Sequence, residues 1–128
     1  MMQYRFAMVI LCVAVGGCSA FTVDDKHYSI FFQPLSTELD QPAHAIVHTA
    51  ATVARANPTL PITLAGYASP PDPVDNDVLS ARRAANVQRA LITEGVPADR
   101  ITTAAKGTAD PKGLPNLSVQ RVDISIGP

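Results

Sequence analysis

The stretch NDVLSARRAANVQRALITEG, residues 76–95, decides the fold because it has the spacing of an amphipathic helix and a defined end. At about 100° per residue, four of its apolar residues occupy one arc: Leu79, Val87, Ala90 and Leu91. Gly95 is the residue type that most often ends a helix, since it adopts a left-handed backbone without penalty. The sequence therefore predicts a helix over about residues 77–94.

Arg83 falls within this apolar arc, whereas Arg82, Asn86 and Arg89 point the other way. A buried arginine is costly unless its guanidinium meets an anion. The position near the helix start also favours an anion, because the helix dipole is positive there. Two interpretations stay open: Arg83 binds a ligand carboxylate or phosphate, or it forms an ion pair with one of the protein's own carboxylates.

The rest of the chain predicts one more helix and four strands. An apolar run over 28–32 and a second over 61–67 favour strands, and a weaker strand is expected over 101–106. Asp40 is a predicted N-cap, with Pro42 in the first turn of a helix that continues over 43–56. The alternation of apolar and polar residues around Val122 predicts a last, half-buried strand. We expect an α/β protein of the α+β two-layer sandwich type, βαβαβ-β, with both helices packed on one face of a mixed four-stranded sheet.

The first 17 residues have the pattern of a signal peptide. Arg5 precedes an apolar run over 6–15, which is too short for a membrane span that needs roughly 20 residues. The following Val15-Gly16-Gly17-Cys18 resembles the lipobox of bacterial lipoproteins, in which the cysteine is acylated. We therefore expect cleavage before Cys18, lipid attachment at Cys18 and a tether over 18–27. Ordinary cleavage after Ala20 is the alternative. Ser19 stands where an aspartate would favour inner-membrane retention, so the outer membrane is expected.

Composition excludes several classes of protein. The net charge is −1, so no overall positive field favours binding to nucleic acid. Both cysteines, Cys12 and Cys18, precede the folded part, which excludes a disulfide framework and a cysteine metal site there. No cofactor is predicted.

The sequence gives no support for catalysis or a metal site. His44 and His48 have helical i, i+4 spacing, but no glutamate of an HExxH motif and no evident third ligand accompany them, so an exposed helix face is the better interpretation. Ser36, Ser69 and Ser80 lack the G-x-S-x-G context of a nucleophile. For Asp75 and Asp77, turn formation and helix-start electrostatics are the favoured roles. We predict that the protein is not an enzyme.

Taken together, the motifs resemble the OmpA-like domain, a periplasmic peptidoglycan-binding module. The segment 76–84, NDVLSARRA, fits the family pattern N-x-x-L-S-x-x-R-A. Further matches are Phe32, Ser36 and Leu39 to F-x-x-x-S-x-x-L, residues 95–101 to G-[VI]-x-x-x-[RK]-[IL], Gly107 and Pro111 to G-x-x-x-P, and residues 121–124 to R-V-E-I. The resemblance covers about 100 residues and implies an OmpA-like domain over 28–128.

The resemblance also implies a ligand, the diaminopimelate of the peptidoglycan stem peptide. In the family, the arginine of R-A grips a carboxylate and the aspartate of G-x-[ST]-D receives an ammonium. Arg83 has the first position, but Ser69 has the second, so the acid is missing. Asn76 and Asp72 are the other expected binding residues, with Asp72 able to supply a substitute carboxylate.

Two functions follow from these expectations. The first is a lipid-anchored protein that binds peptidoglycan and links the outer membrane to the wall, with its domain in the periplasm. The second is a scaffold lipoprotein that has kept the fold, lost wall binding and contacts an envelope complex. The family's last motif is also altered here, since Val119 and Gln120 replace its asparagine and first arginine.

Overall fold

A computed structural model of the chain describes residues 26–68, 76–108 and 119–128. The elements in chain order are β1 (Lys26–Phe31), α1 (Gln41–Ala56), β2 (Ile62–Ala68), α2 (Asn76–Thr93), a 3₁₀ turn (Ala98–Arg100), β3 (Ile101–Thr108) and β4 (Arg121–Ile126). The sheet order is β1-β4-β2-β3. Strand β4 is antiparallel to both β1 and β2, and β2 is parallel to β3. The predicted two-layer fold, with two helices packed with a mixed four-stranded sheet, is confirmed.

Element boundaries differ from the prediction by one or two residues, mostly because strand pairing extends the local pattern. Strand β1 begins at Lys26 rather than at 28, since Lys26 pairs with Ile126 at the end of β4. Strand β3 continues to Thr108, which pairs with Ala68. The 3₁₀ turn before β3 was not predicted. Local sequence cannot indicate how far a partner strand extends.

Helix α1 begins as predicted. The Asp40 carboxylate accepts a hydrogen bond from the backbone N–H of Ala43 at 2.9 Å, which is the geometry of an N-cap. Four alanines of α1 are buried, so this helix presents small side chains toward the core. Because alanine has no side-chain entropy to lose, such a face favours both helix formation and close packing.

The core lies between the helices and the inner face of the sheet. Strands β2 and β4 alternate buried and partly exposed residues, as expected for a sheet with one covered face. Burial of each Val, Leu or Ile side chain contributes about 1.5–3 kcal/mol to stability. The main contributors are Ile30, Phe32, Val47, Ile62, Leu64, Val87, Leu91, Ile101, Val122, Ile124 and Ile126.

Helix α2 lies close against β2. A Cβ on Gly66 would overlap with the backbone carbonyl of Ser80, so only glycine allows this approach. The Ser80 hydroxyl accepts a hydrogen bond from the backbone N–H of Gly107 at 3.2 Å, which also ties α2 to β3. These contacts fix the rotation of α2 and direct Arg83 into the interior. None of the helices in the described part of the chain is long and apolar enough to span a membrane.

Candidate ligand site around Arg83

Arg83 lies on the buried side of α2, as the apolar arc predicts. Its side chain is 0% exposed, whereas Arg82 and Arg89 are exposed. Asn86 was expected on the exposed side but is half-buried, because its amide donates to the carbonyl of Thr37 at 2.8 Å. The segment between β1 and α1 therefore covers part of the helix that helical spacing alone assigns to solvent.

The Arg83 guanidinium joins three separate segments of the chain. Its Nε–H donates to the carbonyl of Ser36 at 2.8 Å, and Nη1 donates to the carbonyl of Tyr67 at 3.1 Å. Nη2 donates to the carbonyl of Gln33 at 3.1 Å and to the side-chain Oε1 of Gln120 at 3.0 Å. These acceptors come from the segment after β1, the end of β2 and the residue before β4. One side chain thus connects three strand ends.

This guanidinium is charged but has no carboxylate partner among the described residues. All four acceptors are neutral carbonyl or amide oxygens. The ring of Phe32 lies 5.0 Å from the guanidinium carbon and adds a cation–π contact. Burial lowers the pKa of Arg83 to about 10, which still leaves the group protonated at neutral pH. The internal ion pair that was one of our two interpretations is therefore not found in the described part of the chain.

Among the described residues, one donor of this guanidinium has no acceptor. A guanidinium has five N–H groups, and the four bonds above use one on Nε, one on Nη1 and both on Nη2. The remaining N–H is the second one of Nη1. Within residues 26–68, 76–108 and 119–128, Arg83 thus combines a positive charge that no carboxylate pairs with and one remaining donor.

Of the other predicted binding residues, the structure describes Asn76. It is the first residue of α2 and is 5% exposed, so it is buried despite its polar side chain. Arg83 follows it by seven positions, which is close to two helical turns and places both on the same side of α2. Ser69, Asp72 and the lipid-attachment residue Cys18 lie outside the described residues, so their roles stay predictions.

The first-turn position predicted for Asp77 is confirmed, because it is the second residue of α2. Its carboxylate also occupies the space that a Cβ on Gly107 would need. Since Gly107 has a φ of +61°, both backbone conformation and space favour glycine there. This contact gives a structural reason for the glycine that matches the G-x-x-x-P pattern.

Gln120 is the site residue that sequence reasoning missed. It was identified only as a departure from the family motif, without a structural role. A signal was present, because the inward alternation of Val122, Ile124 and Ile126 continues backward to position 120. Gln120 is 6% exposed and is one of four buried polar or charged side chains among the described residues.

The two histidines lie on an exposed face of α1, as predicted. The Nδ1 atom of His48 lies 3.0 Å from a carboxylate oxygen of Glu94, and both side chains are substantially exposed. A surface cavity of about 510 Å³ lies nearby, between α1, α2 and the segment that precedes α1, with His44, Asn86 and Arg89 among its lining residues. Arg83 is not part of this lining, so the cavity is separate from the site described above.

Comparisons with known proteins find solved structures that share this fold. The C-terminal domain of MotB from Helicobacter pylori superimposes with a TM-score of 0.70 at 20% identity, covering 79% of this chain and 84% of that chain. The peptidoglycan-associated lipoprotein from Burkholderia pseudomallei gives a TM-score of 0.65 at 20% identity, with coverages of 77% and 87%. The OmpA-like domain of FopA1 from Francisella tularensis gives 0.65 at 19% identity, with coverages of 81% and 73%. No curated protein matches the sequence.

The structural matches are too distant in sequence to show more than a shared fold. The family match is more specific, since the model of the OmpA family covers residues 31–123. These residues include β1's last residue, both helices and the Arg83 site. The chain belongs to the OmpA family.

Proposed function

We propose that this protein binds peptidoglycan non-covalently, with Arg83 taking a carboxylate of the diaminopimelate in the stem peptide. The observation behind this proposal is the buried, charged guanidinium that has only neutral acceptors among the described residues. A charge-assisted, bidentate bond to a carboxylate would be stronger than any of these four bonds. The proposed role is not enzymatic, and the family match indicates no catalytic family.

The relatives support this choice of ligand. One of the solved structures with the same fold is called a peptidoglycan-associated lipoprotein, which states what that protein associates with. In this chain, the carbonyl of Tyr67 accepts a hydrogen bond from Arg83, and Tyr67 precedes Ser69 by two residues. We propose that Asn76, Ser69 and Asp72 complete the ligand site, with Asp72 or Ser69 facing the ligand's ammonium.

Co-sedimentation with purified peptidoglycan tests the proposal. Wild-type protein should pellet with the wall material and be released by free diaminopimelate. Arg83→Lys keeps the charge but loses the planar fork, so it should bind at least about ten-fold more weakly. Arg82→Lys is the matched control on the exposed side of the same helix and should bind like the wild type. Equal binding by both variants would exclude Arg83 as the ligand residue.

We further propose that Cys18 is acylated and anchors the protein in the outer membrane, with the domain facing the periplasm. The tether, expected over 18–27, is shortened to residues 18–25, because Lys26 and His27 belong to β1. The lipobox-like run that ends at Cys18 is the basis for this assignment. Cell fractionation of a Cys18→Ala variant tests it. An exported variant found in the soluble periplasmic fraction would support the anchor, and an exported variant retained in the membrane would contradict it.

A scaffold lipoprotein without wall binding is the second candidate, and one feature of Arg83 favours it. The protein's own atoms occupy four of the five guanidinium donors, and the side chain is 0% exposed. In that case Arg83 would serve only to connect the strand ends, and the protein would contact an envelope complex. Wild-type protein that stays in the supernatant with peptidoglycan would favour this candidate.

A further inference from the structure

A ligand can reach Arg83 only if one of the groups that cover it moves. Three of its four acceptors are backbone carbonyls, and they belong to Gln33, Ser36 and Tyr67. Those oxygens cannot leave without moving the chain around β1 and β2. The fourth acceptor, Oε1 of Gln120, is the only side-chain acceptor of Arg83 among the described residues.

The Gln120 backbone is fixed, but its side chain is not fixed in the same way. The Gln120 carbonyl accepts a hydrogen bond from the backbone N–H of Phe32 at 2.9 Å, which holds the start of β4 against the end of β1. The side chain can still rotate about its own bonds while this backbone contact is kept. Gln120 can therefore release Arg83 without unpairing the sheet.

We propose that Gln120 determines access to Arg83 by acting as an internal substitute for the ligand carboxylate. Its amide oxygen accepts from Arg83 in the absence of ligand, and a carboxylate must displace it to obtain a bidentate bond. This inference rests on the proposed function, because the anion that displaces Gln120 is the ligand carboxylate that we propose for Arg83.

Because the Gln120 amide is neutral, a ligand carboxylate can displace it reversibly. An amide oxygen satisfies a donor without cancelling the positive charge of the guanidinium, so the site keeps its attraction for an anion. A glutamate at position 120 would form a buried ion pair with Arg83 and remove that attraction. An alanine would leave a donor of Nη2 without an acceptor and open the position to a small anion. The two substitutions therefore have opposite effects on anion binding.

Thermal unfolding in acetate and in chloride, at equal ionic strength, measures how residue 120 affects the binding of a small carboxylate at Arg83. The full chain, purified in mild detergent, should be compared with Gln120→Ala, Gln120→Glu and Gln41→Ala. Gln41 is the matched control, since it is an exposed glutamine at the start of α1 and is not among the acceptors of Arg83. We expect a larger acetate-dependent rise in Tm for Gln120→Ala than for the wild type, and no acetate dependence for Gln120→Glu. Gln41→Ala should match the wild type.

Calorimetric titration with meso-diaminopimelate extends the test to the proposed ligand. Gln120→Ala should bind about five-fold more tightly than the wild type, because no internal acceptor competes, and Gln120→Glu should not bind measurably. If Gln120→Ala does not fold, Gln120→Glu alone tests the inference: loss of the acetate response supports it, and a response equal to that of the wild type contradicts it. Identical acetate responses in the wild type and in each folded Gln120 variant would overturn the inference.

The outcomes separate this inference from the proposed function. If the wild type fails to bind peptidoglycan but Gln120→Ala gains acetate-dependent stability, the proposed function is wrong and the role of Gln120 is supported. If the wild type binds peptidoglycan and Gln120→Glu binds it equally well, the proposed function holds and the role of Gln120 is overturned.

Discussion

Arg83 and Arg100 lie at opposite ends of β2, and each holds its guanidinium against backbone carbonyls. Arg100 donates to the carbonyls of Ala54, Asn57 and Leu60 at 2.8–3.2 Å. These oxygens belong to the end of α1 and to the segment before β2. Arg83 instead contacts three segments that meet at the other end of the sheet.

The electrostatic surroundings of the two arginines differ. The end of α1 carries the partial negative charge of the helix dipole, which compensates the charge of Arg100, and Arg100 is only partly buried. Arg83 is 0% exposed, lies in the first half of α2 and has a side-chain amide among its acceptors. Backbone carbonyl acceptors around an arginine therefore do not by themselves indicate a ligand site, since at Arg100 they connect parts of the fold. Complete burial and a side-chain amide acceptor distinguish Arg83 from Arg100, and these two features are why we propose Arg83 as the ligand residue.

The largest effect on stability is expected from Arg83→Ala. This change removes four hydrogen bonds and leaves the carbonyls of Ser36 and Tyr67 and the buried amide of Gln120 without the guanidinium donor, whereas the Gln33 carbonyl keeps the N–H of Ser36. The free energy of unfolding should therefore fall by about 3–5 kcal/mol. Urea denaturation measures the loss. Arg82→Ala, on the exposed side of α2, should cost less than about 0.5 kcal/mol. Similar losses for the two variants would mean that the Arg83 contacts do not stabilise the fold.

A smaller effect on stability is expected from Arg100→Ala. The carbonyls at the end of α1 are nearer to solvent and can bond to water when the guanidinium is removed, so the loss should be about 1–2 kcal/mol. Peptidoglycan binding should stay at the wild-type level, since Arg100 lies at the other end of the sheet. A loss of wall binding in a folded Arg100→Ala protein would contradict the assignment of ligand binding to the Arg83 end of the sheet alone.

The smallest effect is expected from Ser69→Asp, which restores the acid of the family motif. A carboxylate at this position should pair with the ligand's ammonium and raise the affinity for diaminopimelate by at least about 1 kcal/mol, or about five-fold. Calorimetric titration measures the change. Asp72→Ala should lower the affinity only if Asp72 supplies the substitute carboxylate. If neither variant differs from the wild type, the ammonium is not bound at this loop.

The fold and the direction of Arg83 could be predicted from local sequence, because both depend on periodicity. The apolar arc of residues 77–94 placed Arg83 inside, and Asp40 marked the start of α1 correctly. The contacts of Arg83 could not be predicted, since they are backbone carbonyls about 16 to 50 residues away in sequence. A carbonyl acceptor has no sequence signature. Gln120 was missed as well, although the inward alternation of the β4 residues extends backward to position 120 and was a usable signal.

The central claim, that Arg83 binds a ligand carboxylate, is tested most directly by changing that carboxylate. A stem tripeptide that ends in meso-diaminopimelate should be titrated into the wild-type protein beside the same peptide with its diaminopimelate carboxylates amidated. If Arg83 grips a carboxylate, amidation should weaken binding at least ten-fold, the loss of about 1.4 kcal/mol or more that one charge-assisted bond represents. Equal affinity for the two peptides would contradict the assignment of Arg83 to the ligand.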